Sequence, residues 1–195
     1  MTARIERVHG RRVWDSRGRP TIEVDVLVQG GALGRAIAPA GASTGSGEAV
    51  DLRDGGAAFA GLDVRRAVAA VRDEIDKALR GMDAGDQEAV DRRLIELDGT
   101  GNKSRLGGNA LIATSMAVAH AAASAAGIPL WQHLARGNRP GALPLPEIQI
   151  LGGGAHANRR LDVQDFMVIA VGAEDYATAL DWTAEVYRAA GRLLS

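Results

Sequence analysis

Apolar and polar positions alternate over residues 4–14 and 20–28. Ile5, Val8 and Val13 mark a first strand, and Ile22, Val24, Val26 and Val28 a second. "DSRGRP" between them has the composition of a Gly/Pro turn, and "GGALGRAIAPA" supplies a third strand after Gly30 and Gly31. Three neighbouring strands with short connections predict an antiparallel meander, because parallel pairing needs long crossovers. Past a glycine-rich stretch the period changes. Val64, Val68, Val71, Ile75 and Leu79 recur at spacings of three and four, which predicts a helix with Asp63 as its N-cap. "DQEAVDRRLIEL" is a second helix. "GGNALIATSMAVAHAAASAAG" is a third, apolar around most of its circumference and therefore expected to be buried; it stops at Gly127, and Pro129 opens a short helix, "LWQHLAR".

"GNRPGALPLPE" then holds three prolines and two glycines, the densest turn composition in the chain. It divides an N-terminal domain, residues 1–136, from residues 137–195, a linker and the beginning of a second domain. Beyond it "EIQIL" and "FMVIAVG" read as strands, the second buried on both faces by its composition, and "EDYATALDWTAEVYRAAGRLL" as a closing helix. Strand, strand and helix are too little for a closed core, so the expectation is a chain that ends soon after its second domain begins. The fold class is α+β.

Composition changes this picture in a few places. Aromatic residues are 4% of the chain while 46% is hydrophobic, so the core must be packed by small residues on closely approaching helices. The net charge of -1 and the lack of a basic stripe argue against a nucleic-acid or membrane-surface partner. With no cysteine, disulfides and thiolate metal sites are excluded. The N-terminus has no apolar h-region, and no strongly apolar run is expected to be long enough to span a bilayer; a cytoplasmic location is the expectation.

Candidate chemistry concentrates in a few segments. "GASTGSGEA", residues 41–49, puts three glycines and three small hydroxylic residues after a strand end, followed by acids. "GGGAHANRRLDVQDF" puts three glycines and His156 between two strands. Glycines permit close backbone approach to a ligand, and a histidine there can bind an anion or move a proton; a connector with an exposed histidine has the same composition. Gln164 and Asp165 open an otherwise apolar strand, where an acid either faces water or is aimed into a cleft; spacing leaves both open. "DGTGNKSRLGGNA" resembles a phosphate loop, but Asn102 stands where the last glycine belongs and the loop follows a helix, so a structural turn is expected. His9, His120 and His133 read as packing or surface residues, and Glu48, Asp51 and Asp54 as solvated loop charge rather than a cation site.

The order of the segments carries more than any one of them. "DSRGRPTIEVDV", "GASTGSGEAVDLRDG", "DQEAVDRRLIELDGTGNKSRLGGNA" and "GGGAHANRRLDVQDFMVIAVGA" follow one another as the segments of enolase (phosphopyruvate hydratase) do. The chain resembles that family over essentially its whole length. The resemblance implies an N-terminal capping domain and then the first strands and helix of an incomplete α/β barrel, a fold of about 250 residues when complete. It implies a lyase that dehydrates 2-phosphoglycerate to phosphoenolpyruvate in glycolysis with Mg2+, in a homodimer. By the same resemblance Gly41, Ala42, Ser43 and Thr44 belong to a lid that closes over a small phosphorylated carboxylate, with Ser43 a magnesium ligand. His156 contacts the phosphate or leaving hydroxyl, and Gln164 and Asp165 fall on a Gln-Glu pair beside the substrate hydroxyl.

The chain departs from the family pattern. Gly152 and Ala155 stand where Asn-Gly-Gly-Ser-His-Ala has its asparagine and serine, and Asp165 is one methylene shorter than the usual glutamate. Residues 171–195 contain no lysine to take the α-proton. The resulting expectations are an enolase-type enzyme whose 195 residues are inactive alone, a divergent homologue acting on a phosphonate analogue, or a non-catalytic interaction module.

Overall fold

The structure is a computed structural model that describes residues 3–41, 45–138 and 143–194, the side chains of Ala155 and His156 excepted. The chain forms two compact units, Met1–Arg139 and Pro140–Ser195.

In the first unit β1 (Ile5–Trp14), β2 (Pro20–Val28) and β3 (Leu33–Ala38) form an antiparallel sheet in the order β1-β2-β3, the meander that the short connections predict. Ile22, Val24, Val26 and Val28 of the central strand are 0% exposed, each burial contributing about 1.5–3 kcal/mol. The intervening Glu23 and Asp25 lie on the other face, where Arg11 and Arg35 pair with both.

Helices cover the apolar face. α1 (Arg65–Ala70) runs through a π turn (Val71–Ile75) into α2 (Asp76–Leu79), and Val64, Val71, Ile75 and Leu79 are buried at the predicted spacing. α3 (Gln87–Asp98) begins at Asp86, whose side chain accepts the Ala89 N–H at 3.0 Å. α4 (Gly108–Ala126) ends at Gly127 in the left-handed conformation, and α5 (Leu130–Leu134) follows Pro129.

The alanines of α4 explain the scarcity of aromatics. Ala110, Ala113, Ala117 and Ala121 are buried, and β3 comes so close that a Cβ on Gly34 would lie 2.1 Å from the Ala117 carbonyl oxygen. α4 also corrects the expectation about apolar runs. With 19 residues and a mean hydropathy of 1.2 it is long and apolar enough to cross a membrane, yet 61% of it is buried within the protein.

The cap of α1 is a second correction. Of the backbone amides at the start of α1, the Asp63 carboxylate accepts that of Val64, at 2.9 Å, and it is otherwise held by Arg12 and Arg65. The amides of Arg65 and Arg66 instead donate to Asp54, at 2.8 and 3.0 Å. The chain folds back so that an acid upstream of Asp63 reaches the helix start, where orphan N–H groups and the dipole favour a carboxylate.

In the second unit β4 (Glu147–Gly152) and β5 (Asp165–Ile169) pair antiparallel, and α6 (Tyr176–Leu194) closes the segment. β5 is not buried on both faces as its composition predicts: Phe166, Met167 and Ile169 are 37%, 51% and 44% exposed. Among the described residues of this unit there is one two-stranded ladder and one long helix, too little to cover both faces of a strand.

Candidate functional site

The glycine-rich segment of the first unit is pinned on both sides. Arg17 Nη2 donates to the Ala40 carbonyl at 2.7 Å before it. After it, the Gly45 N–H donates to Glu48 Oε1 at 2.7 Å and the Val50 N–H to the Asn102 carbonyl at 2.8 Å. Asn109 brackets Leu52, its Oδ1 accepting from the Leu52 N–H at 3.3 Å and its Nδ2 donating to the Leu52 carbonyl at 3.2 Å. Gly41 is exposed at the start of the segment; Ala42, Ser43 and Thr44 lie outside the described residues.

The turn that supplies Asn102 is structural, as its departure from the phosphate-loop pattern predicts. Asp98, 2% exposed, accepts from the Thr100 N–H at 2.9 Å, from the Thr100 hydroxyl and from the Leu106 N–H at 2.8 Å. Burial alone would raise the Asp98 carboxyl, but these hydrogen bonds, helped by the charge of Lys103, hold it below the usual carboxylate range. Lys103 Nζ donates to the Thr100 carbonyl at 2.9 Å, so the lysine is spent inside the turn.

The acids after the glycine-rich segment are likewise used locally. Glu48 holds Gly45, Asp51 pairs with Arg53 at 2.7 Å, and Asp54 caps α1. Among the described residues no group of three or more His, Cys, Asp or Glu side chains could hold a metal ion.

The second unit brings Gln164, Asp165, Gln149 and Gly152 together. Gly152 lies opposite Asp165 in the β4–β5 ladder. Gln149 Nε2 donates to Asp165 Oδ1 at 2.7 Å, and Gln164 Nε2 to Oδ2 at 3.3 Å. Both carboxylate oxygens therefore have an amide donor, which fixes their direction. The loop beside them is drawn tight. The Gly153 N–H donates to the Gln164 carbonyl at 2.6 Å and the Gly154 N–H to the Leu161 carbonyl at 2.9 Å. A Cβ on Gly153 would stand 1.9 Å from the Val163 carbonyl oxygen, so only glycine fits. The backbone of His156 belongs to the 3-10 turn Gly154–Ala157 that follows; its side chain lies outside the described residues.

Gln149 is the member that periodicity does not reveal. "EIQILGG" reads as a plain strand, in which residues 149 and 152 point to opposite faces. A register shift between Gln149 and Leu151 puts them on one face. A polar residue within an apolar strand was the available signal.

Residues 5–134 match the family model for the enolase N-terminal domain, and residues 140–195 match that for the enolase C-terminal TIM barrel domain. The first match spans well over half of the chain. The architecture agrees with both: a three-stranded antiparallel sheet and its helices, then two strands and a helix that begin the barrel domain. The segment orders of sequence and fold thus lead to one conclusion: the chain belongs to the enolase family.

Proposed function

We propose that this chain serves the enolase reaction, the magnesium-dependent removal of water from 2-phosphoglycerate to give phosphoenolpyruvate in glycolysis. The observation that carries this is the succession of two enolase domain matches, the first containing residues 41–49 and the second residues 152–165. In this reading Gly41, Ala42, Ser43 and Thr44 close over the substrate. His156 meets its phosphate or leaving hydroxyl, Gln164 binds beside that hydroxyl, and the Asp165 carboxyl assists its departure. The protein works in the cytoplasm as a homodimer.

Magnesium, when bound, would stabilise the negative charge left on the substrate carboxylate as the α-proton departs. The described residues do not make a site for it. Hard cations of this kind take about six oxygen donors, whereas no cluster of three acids or histidines is present among the described residues and Asp165 already faces two amides. Ser43 is the ligand we assign by family, and one hydroxyl does not hold the ion. The reaction also needs a base. Residues 140–195 contain no lysine, and of the two in the chain Lys103 is engaged in its turn. We therefore propose that these 195 residues alone do not turn over substrate.

A fusion tests the reading: the 195 residues replace the matching part of a full-length enolase. Magnesium-dependent formation of phosphoenolpyruvate, lost in His156→Ala, is the expected result; a folded fusion without turnover overturns the reaction. Gly152, Ala155 and Asp165 favour one second reading, a divergent enzyme for a phosphonate analogue. A fusion that consumes such an analogue and leaves 2-phosphoglycerate untouched would establish it.

A further inference from the structure

Asp165 is one methylene short of the acid its position calls for, and the structure contains a device that compensates. In an unbroken β4–β5 register continuing from Gln149 opposite Met167, Leu151 would stand opposite Asp165. The observed pairs are Leu151 with Phe166 and Gly152 with Asp165. One extra residue, Ile150, is accommodated as a bulge. Bulges re-aim side chains by reversing the alternation of faces beyond them.

Two consequences follow for Asp165. Residues directly opposite one another share a face, so Gln149, Met167, Gly152 and Asp165 are all on one side of the ladder. The residue opposite Asp165 is then a glycine instead of a leucine, and the space over the carboxylate is open. Gln149 uses that space. Its Nε2 lies 3.1 Å from where a Cβ on Gly152 would be, and 2.7 Å from Asp165 Oδ1. Diagonal neighbours across a ladder are about 7–8 Å apart, a span that a glutamine reaching toward an aspartate can close.

We propose that Gln149 is a positioning residue for the Asp165 carboxylate, with the Ile150 bulge and Gly152 as the features that admit it. This rests on the reading of Asp165 as a carboxylate that faces substrate. The three positions act as a unit. The longer amide arm offsets the shorter acid, and the missing side chain at 152 leaves the arm its path. The Gly152 departure from the family pattern and the Asp165 departure are thus parts of one arrangement, since the Cβ of any other residue at 152 would stand 3.1 Å from the Gln149 amide and its further atoms would crowd the arm.

The test is NMR on the 195-residue chain labelled with 15N and 13C, reading the coupling across the hydrogen bond from Gln149 Nε2 to the Asp165 carboxyl carbon. The wild-type chain is expected to show it. Gln149→Leu removes the donor and Gly152→Val fills the path of the arm, so both lose the signal while the backbone amide spectrum of α6 stays in place. Gln149→Asn alone is too short and also loses it. Gln149→Asn combined with Asp165→Glu moves one methylene across the ladder and restores it. A signal that survives Gly152→Val or Gln149→Asn, is absent from the wild type, or is not restored in the double variant overturns the inference. No substrate enters this experiment, so its failure leaves the proposed reaction standing, and failure of the fusion enzyme leaves the hydrogen bond standing.

Discussion

Asp76 Oδ1 accepts the backbone N–H of Val8 at 2.7 Å, and this one bond ties the outer edge of β1 to the helix beside it. The same edge is closed on either side. The Ile5 N–H donates to the Met82 carbonyl at 2.8 Å, and Arg72 Nε donates to the Gly10 carbonyl at 2.8 Å. A strand edge with unpaired amides is a template for pairing with another chain, and here a helix covers it. Asp76→Leu leaves a buried N–H without an acceptor, which costs about 1–3 kcal/mol. Asp76→Asn keeps an acceptor oxygen and is expected to cost less. Urea unfolding midpoints for the two variants decide the point; equal losses would mean that the Arg80 ion pair, and not the Val8 bond, carries the effect.

Asp98, Asp63 and Asp25 set the acid limit of the first unit. For each, burial would raise the carboxyl, but hydrogen bonds outweigh it: from Thr100 and Leu106 to Asp98, from Arg12 and Val64 to Asp63, from Arg35 and Arg11 to Asp25. Their folded values lie below the ordinary value of about 3.9. The stabilisation is complete above that value and is lost as pH falls through the interval down to the folded values. His9 is also lowered, by burial first and then by Arg72, Arg7 and Arg11. It therefore adds a loss beginning as pH falls below about 6.5. Unfolding midpoints should decline from about pH 6 downward and steeply below about pH 4. Asp98→Asn should flatten the steep part, and a slope unchanged by that variant would refute its share.

Two glycines give opposite outcomes. Gly34→Ala drives a methyl into the backbone of α4 and is expected to destabilise the first unit by about 3 kcal/mol or more. Gly153→Ala meets the Val163 carbonyl instead and should disturb the 152–164 loop while leaving the first unit's unfolding midpoint in place. Calorimetry on both variants separates the two effects.

The buried apolar cluster runs from Ile5 to Ala122 and lies wholly within Met1–Arg139. Residues 1–139 alone are therefore expected to fold cooperatively, with a Tm within a few degrees of that of the 195-residue chain. Non-cooperative melting of the shortened chain would show that residues 140–195 contribute to that core.

In the fusion enzyme, Gln149→Leu is expected to lower kcat about 10-fold or more with KM little changed, as loss of orientation at a reacting carboxylate does. Gln149→Asn with Asp165→Glu should recover most of it. A rise in KM with kcat intact would assign Gln149 to binding instead.

The period of two over β1–β3, the period near 3.6 along Val64–Leu79, the stop of α4 at Gly127 and the structural turn after Asp98 were all legible in the sequence. Each depends on backbone geometry within a few residues, and the order of the motifs placed the chain in its family. Partners and cover depend on distant residues, and those the tertiary structure decided. Asp54 and Asp63 are both acids before α1, and only the path of the chain selects Asp54 as the cap. The apolar composition of β5 states what would favour burial, not whether anything lies against it. At the candidate site the deciding event is a single unpaired residue at Ile150. It leaves no mark in the pattern of apolar positions, yet by reversing the alternation it puts Gly152 in place of Leu151 opposite Asp165 and leaves Gln149 a path to the carboxylate.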